Sequence, residues 1–159
     1  LFQVVSEKLM NLRKNKLRIY FFIYLIFPLQ CLNSLELLML KEPIQTNKAP
    51  KAIGAYSQAI KSGEFLFISG QIPLNPETMR IVDSSFEDAA QRVISNIENI
   101  CKEAGASLDD IVKLNIYLLD LENFDILNKI MEKRFSEPFP ARATVEVARL
   151  PKDVMIEMD

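Results

Sequence analysis

An α+β domain, with a mixed β-sheet and two helices on one of its faces, is the fold class the sequence predicts, and three observations predict it. Apolar residues recur at helical spacing in two stretches, one beginning at Phe86 and one at Phe124. Shorter runs around them alternate or are wholly apolar, as strands do. The four glycines, Gly54, Gly63, Gly70 and Gly105, all fall at the turns or element ends that this division requires.

In chain order, residues 55–61 make a first strand through Tyr56, Gln58 and Ile60, Ser62-Gly63-Glu64 a turn, and Phe65-Leu66-Phe67-Ile68 a wholly apolar second strand. Asn75-Pro76 marks a loop. Ser85 and Asp88 resemble a capping box, after which Phe86, Ala90, Val93, Ile97, Ile100 or Cys101, and Ala104 repeat at helical spacing until Gly105 stops the helix. Residues 111–118 supply a third strand with Val112, Leu114, Ile116 and Leu118 on one side. Asn123 caps a second helix whose buried stripe is Phe124, Leu127, Ile130 or Met131, and Phe135, and Pro138 and Pro140 close it. Strands at 142–148 and 154–158 complete the order ββαβαββ.

The last two strands, joined by Arg149-Leu150-Pro151-Lys152-Asp153, invite an antiparallel pairing in which Val147 meets Val154, Val145 meets Ile156 and Thr144 meets Glu157. That register puts Arg142, Thr144, Glu146 and Glu157 together on the face opposite the helices, with Met155 beside them. A sheet face that mixes apolar and charged groups is one that another subunit covers, so a homo-oligomer is expected. Arg142 and Glu157 have a plain reading, a surface ion pair worth about 0–1 kcal/mol. They also have a functional one, in which the planar guanidinium of Arg142, held behind the rigid Phe139-Pro140-Ala141, clamps a carboxylate in bidentate fashion.

Composition narrows the chemistry. The chain has 159 residues, a net charge of −2, and neither histidine nor tryptophan, which suits one domain. Without histidine there is no Ser-His-Asp or Cys-His nucleophile, no His-bearing zinc site and no imidazole acid or base. Carboxylates, Arg and Lys, hydroxyls, backbone groups and water remain. The two cysteines, Cys31 and Cys101, form neither a disulfide framework nor a metal cluster, and Cys101 reads as a core residue on its helix's apolar face.

Charge divides the chain. Residues 1–41 hold six basic and two acidic side chains, whereas 42–159 hold 13 basic and 19 acidic ones, a net of −6. A basic run ending at Arg18 precedes an apolar run at 19–29, the order of a secretory signal, too short to span a bilayer stably. The alternative is that translation starts at Met39 and the preceding residues are upstream sequence. Either way, 1–41 is set apart as an N-terminal extension and 42–159 as the folded domain. The cytoplasm is the default compartment, with organelle or secretory delivery if 1–41 is a genuine leader.

Four motifs then resemble a known family. They are Ala49-Pro50-x-Ala52-Ile53-Gly54-x-Tyr56-Ser57-Gln58-Ala59, Ser69-Gly70-Gln71-Ile72-Pro73, Gly105-Ala106-Ser107-Leu108-Asp109-Asp110-Ile111-Val112-Lys113, and the stretch from Pro140-Ala141-Arg142-Ala143-Thr144 to Leu150-Pro151-Lys152-Asp153. In this order they look like the RidA/YjgF reactive-intermediate deaminases, from about Ile44 onward. The resemblance implies a chorismate-mutase-like fold, a homotrimeric barrel with active sites in the clefts between subunits, and hydrolysis of 2-imino or enamine acids to 2-oxo acids and ammonia. It implies no metal and no bound cofactor. Carried over residue by residue, it makes Arg142 the carboxylate-binding arginine, the backbone at Thr144 an orienter of the imine nitrogen or the water, and Glu157 the acid that positions the attacking water. Tyr56, Ser69 and Gly70 become pocket lining, and Asn128 a polar residue of the second helix facing the cleft. By themselves Tyr56 would be a half-buried strand aromatic, Ser69-Gly70 a strand-end turn and Asn128 a solvated helix residue.

The resemblance also implies a last strand longer than the two residues after Glu157, a longer connection than Ser136-Glu137-Pro138-Phe139, and no N-terminal extension. Two rival functions are of other classes. One is endoribonuclease activity or translation inhibition, against which the −6 domain charge and missing basic stripe argue. The other is a non-catalytic, carboxylate-binding or chaperone-like trimer, for which Glu157 would have no use.

Overall fold

The computed structural model describes residues 41–159. The readings on residues 1–40, including Cys31, the apolar run and Met39, lie outside the described residues. Among the described residues the elements are β1 (Glu42–Ile44), β2 (Ala59–Ser62), β3 (Phe65–Ile68), α1 (Phe86–Glu103), β4 (Lys113–Leu118), α2 (Phe124–Arg134), β5 (Ala141–Glu146) and β6 (Ile156–Met158). Short 3₁₀ turns occupy Leu108–Asp110, Leu121–Asn123 and Pro151–Asp153. No helix among these residues is long and apolar enough to cross a membrane.

Both helices and β3 follow the sequence reading closely. Ser85 caps α1, its hydroxyl accepting from the Asp88 N–H at 3.0 Å while donating to the Asp88 carboxylate at 2.8 Å, and Ser84 donates to the same oxygen. These hydroxyls hold the Asp88 carboxyl below the usual range. A cap of this kind is worth about 1 kcal/mol. Asn123 occupies the N-cap of α2, yet its side chain does not cap the helix. Gly63, at φ 59°, makes the β2–β3 turn in a conformation that L side chains rarely adopt.

β1, β2 and β3 form an antiparallel meander, and β5-β4-β6 a second, mixed sheet. The chain leaving β3 joins the two sheets: the Gln71 N–H donates to the Met158 carbonyl at 2.7 Å and the Met158 N–H to the Gln71 carbonyl at 3.0 Å. Both helices pack on one face. Val93, Ile94 and Ile97 of α1 and Leu127, Ile130 and Met131 of α2 share a core with Leu114, Ile116 and Leu118 of β4 and with Ile156 and Met158 of β6. Each such side chain, fully buried, contributes about 1.5–3 kcal/mol. Cys101 belongs to this core, and burial, with the Asp110 charge, pushes its thiol up to about 11. That is the inert, structural cysteine expected.

The strand pairing differs from the sequence reading. β5 and β6 do not form a hairpin: β4 lies between them, parallel to β5 with Leu114 opposite Arg142 and Ile116 opposite Thr144, and antiparallel to β6 with Tyr117 opposite Glu157. Two causes are visible. The α2 crossover returns the chain parallel to β4 and fills that edge, as a strand–helix–strand unit does. The central place then goes to the strand with the most deeply buried residues, since Leu114, Ile116 and Leu118 are at most 1% exposed, while the charged β5 is left at the edge.

The faces change accordingly. Opposed residues share a face, so Arg142, Thr144 and Glu146 stand on the helix side with Leu114, Ile116 and Leu118. Glu157 stands on the open side with Tyr117, and Ala143 and Val145 point there too, whereas Ile156 and Met158 point to the core. Val112, expected in the core, is exposed, because β4 begins only at Lys113 after the 3₁₀ turn that the Ile111 N–H closes onto Leu108. The first strand is shorter than expected, starting at Ala59, since Gly54 to Tyr56 is a turn. β1 was not foreseen at all.

β6 is only three residues long and pairs with the C-terminal half of β4. Beyond it, β3 and the first residues of β4 face each other across a cavity of about 480 Å³.

Candidate active site

The residues singled out by sequence collect in two places. The first is the outer end of β5. Arg142 stands second in that strand, and its guanidinium carbon lies 5.1 Å from the centre of the Phe124 ring at the start of α2. No carboxylate pairs with it among the described residues, where the ion pairs join Lys102 and Arg134 to Glu98 and Arg149 to Asp153. An arginine stacked on an aromatic face and free of a counter-charge keeps all its donors for another group. Thr144, two residues on and on the same face, has a buried Oγ1 without a hydrogen-bond partner among the described residues. Asn128 follows Phe124 by one helical turn and therefore shares its side of α2. At the opposite end of β5, Glu146 accepts from the Leu121 N–H at 3.0 Å, just ahead of α2.

The second place is where the chain leaves β3 and meets β6. Ser69 is fixed by two bonds, its N–H to the Gln58 carbonyl at 3.0 Å and its hydroxyl to the Ser57 carbonyl at 2.7 Å. Gly70 follows, and Glu157 of β6 lies against it. A Cβ at Gly70 would sit 3.0 Å from Glu157 Cδ and overlap Oε1, so this contact requires a glycine. Burial raises the Glu157 carboxyl above its usual range, and the Asp159 charge raises it further. Asp159 is itself tied down: Asn115 donates to its carboxylate at 2.8 Å, and its backbone pairs with that of Asn115. A hydrogen bond to Asp159 also raises the Tyr117 hydroxyl.

Within one chain these places do not meet. Arg142 and Glu157 lie on strands either side of β4 and on opposite faces of the sheet, which corrects the expectation that Arg142, Thr144, Glu146 and Glu157 share a face. Tyr56 joins neither group. Its half-exposed ring stands by Gly54, and its hydroxyl accepts from the Ile53 N–H at 3.4 Å. Chemically, the first place can grip an anion and the second can hold and move a proton. Among the described residues no group of three or more Cys, Asp or Glu side chains is arranged to bind a metal.

Phe124, Asp159 and Gln58 were not singled out for these roles by sequence. Phe124 read only as a core position of its helix, though it is partly exposed. Gln58 is 3% exposed and accepts from the Thr46 N–H at 2.7 Å while donating to the carbonyls of Thr46, Ala49 and Pro50 at 3.0, 3.2 and 2.8 Å. A buried amide cannot be told from an exposed one by strand alternation when the segment it holds has no regular structure.

Comparison with known proteins gives consistent matches. The family model described as Endoribonuclease L-PSP matches residues 46–159. A RutC family protein of Pyrococcus abyssi is 55% identical over 76% of this chain and 95% of its own length. The Reactive Intermediate Deaminase A, chloroplastic, of Arabidopsis thaliana is 44% identical over 75% of this chain and 64% of its own. The 2-iminobutanoate/2-iminopropanoate deaminase of Dermatophagoides farinae is 40% identical over 75% of this chain and 93% of its own. The crystal structure of RidA from an Antarctic Psychrobacter superposes with a TM-score of 0.72 at 49% identity, covering 74% of this chain and 94% of that one.

Proposed function

The chain belongs to the RidA/YjgF family, the endoribonuclease L-PSP family, and from that premise we propose that it hydrolyses reactive 2-imino and enamine acids, such as 2-iminobutanoate and 2-iminopropanoate, to 2-oxo acids and ammonia. The observation that carries this reading is Arg142, an arginine with no carboxylate partner among the described residues, steadied by a ring and available to a substrate carboxylate.

In this mechanism Arg142 takes the substrate carboxylate through two parallel N–H donors. Thr144 and Asn128 line the approach from β5 and α2. A protonated imine is already electrophilic, so the remaining task is to place a water over its carbon. Glu157, held against Gly70, orients that water and accepts its proton as the C–O bond forms. The carbinolamine that results expels ammonia after Glu157 returns the proton to nitrogen; the C–N bond breaks as the carbonyl forms, and the freed Glu157 carboxylate takes the hydroxyl proton and passes it to solvent. Water is consumed, and no electron acceptor is needed.

Because the two places stand apart in one chain, the reading needs Arg142, Thr144 and Asn128 of one copy to face Ser69, Gly70 and Glu157 of the next. The open sheet face supports such an assembly, a homotrimer in this reading. Phe65, Phe67 and Val145 stand exposed there at 66%, 63% and 45%, apolar area that a neighbouring subunit would cover. If residues 1–41 are a leader rather than sequence upstream of a start at Met39, they enter only as an address, and the Arabidopsis relative is one that is named chloroplastic.

The test couples the protein to a threonine dehydratase and follows 2-oxobutanoate release. Acceleration over buffer by the wild type, lost in Arg142→Ala with an unchanged oligomer mass, is the expected result. A wild type that adds nothing to the buffer rate sinks the enzyme reading and leaves a carboxylate binder.

A further inference from the structure

A cavity of about 400 Å³ opens along the side of α1, lined by Val82, Ser84, Asp88, Gln91, Arg92 and Ser95, and it includes no residue of the two places described above. We propose that it binds a free α-amino acid as its zwitterion, with the carboxylate on Arg92 and Gln91, the ammonium on Asp88 and Ser84, and a short apolar side chain against Val82.

Three features select this ligand. The first is a pair of opposite charges that do not neutralise each other. Asp88 and Arg92 stand four residues apart on α1, acid first, the favourable order for an ion pair, and Glu98 and Lys102 make such a pair at the same spacing further along the helix. Asp88 and Arg92 make none. The Ser84 and Ser85 hydroxyls both donate to Asp88 Oδ2, at 2.7 and 2.8 Å, which draws the carboxylate toward the start of the helix, and Oδ1 takes no hydrogen bond among the described residues. Arg92 is held by burial instead, its Nε enclosed and without a partner among the described residues. The second feature is the group beside Arg92. Arg134 of α2 donates to Gln91 Oε1 at 2.7 Å, so the Gln91 amide nitrogen is left as a donor with no partner among the described residues. The Ser95 hydroxyl is already committed, donating to the Gln91 carbonyl at 2.8 Å, so Arg92 and Gln91 are the groups that remain to grip a carboxylate. The third feature is what the lining rejects. A simple anion would meet Asp88, a simple cation would meet Arg92, and an uncharged apolar molecule would leave both charges unmatched. A zwitterion answers both without adding net charge. In an α-amino acid the two charged groups share one carbon, which suits side chains whose Cβ atoms lie about 5–6 Å apart on successive helical turns. Val82 is the one apolar side chain in the lining, so the ligand's own apolar part is small. Binding here does not depend on the activity proposed for Arg142 and Glu157.

The test titrates the full chain with L-valine and follows backbone amide shifts by NMR. Saturable shifts are expected, centred on Ser84, Asp88, Gln91 and Ser95. Read at those four amides, 3-methylbutanoate, which lacks the ammonium, and isobutylamine, which lacks the carboxylate, should each bind about tenfold or more weakly than L-valine. Arg92→Met should weaken L-valine to a similar degree, whereas Arg142→Ala should leave its binding at these amides unchanged; the two truncated ligands put the same question to the unaltered protein. Failure to saturate overturns the proposal. So does either truncated ligand binding as well as L-valine, since the cavity would then recognise one charge and not a zwitterion. Shifts centred on Arg142 and Phe124 that vanish in Arg142→Ala also overturn it, by giving the amino acid to the other site.

Discussion

The two halves of the candidate site are built on opposite principles. The Arg142 half lies on an edge strand, carries a permanent charge, and is steadied by one partly exposed ring. The Glu157 half lies on β6, which the Gln71 bridge ties to the other sheet, and there burial and a neighbouring carboxylate hold a proton more tightly than usual and a glycine presses on the acid. Gripping an anion tolerates solvent, because the guanidinium stays charged at any working pH. Moving a proton does not, because its efficiency depends on a shifted affinity. The difference predicts that changes at β5 act mainly on binding and changes at β6 mainly on turnover.

Removing the acid tests this most severely. Glu157→Gln should lower kcat by about 10²–10⁴ with little change in affinity for a 2-oxo acid, measured by coupled assay and by titration calorimetry. An equal loss in both would erase the division of labour. Gly70→Ala comes next: displacing the Glu157 carboxyl by the bulk of one methyl group should cost up to about 10² in kcat, with KM held, in the same assay. Phe124→Leu removes the surface beneath Arg142 and should raise KM by up to about tenfold while sparing kcat. A fall in kcat alone there would place Phe124 with the wrong half.

The smallest effects concern protons. If ionised Glu157 orients the water, activity falls as pH drops through its raised pKa. Asp159→Asn takes away a charge that raises that pKa, so the acid limb of kcat should move to lower pH. Stability carries the opposite sign. A carboxyl whose pKa is raised on folding favours the fold while protonated and loses that advantage as pH climbs from its unfolded value through its folded one. Glu157→Gln should therefore raise the melting temperature at pH 7 relative to wild type by more than it does at pH 4.

Local signals were legible in the sequence, and the relative placement of the last strands was not. Ser85, the stripe from Phe86 onward and the run of Phe65 to Ile68 fix their elements through contacts within a few residues. The pairing of β5 and β6 depends on what lies between them, and alternation is silent about that. Ala143, Val145 and Val147 looked like a core face because they are apolar, yet Ala143 and Val145 point to the open side, where a second apolar layer would lie outside the chain. That inversion misplaced Arg142 relative to Glu157, although both residues were singled out. Asp159 escaped notice because its importance comes from its position beside Glu157 and Asn115, which only the fold creates.

The bonds made by Gln58 have a consequence for ageing. One amide nitrogen serves three carbonyls of the segment 46–50, which has no helix or strand of its own. Hydrolysis of that amide to a glutamate would replace the shared donor with a negative charge facing three acceptors, each of which would be left unsatisfied or driven toward water. A change of one mass unit at this position would therefore unfasten the strap that runs across the protein from β1 toward Tyr56, leaving the core of helices and strands in place.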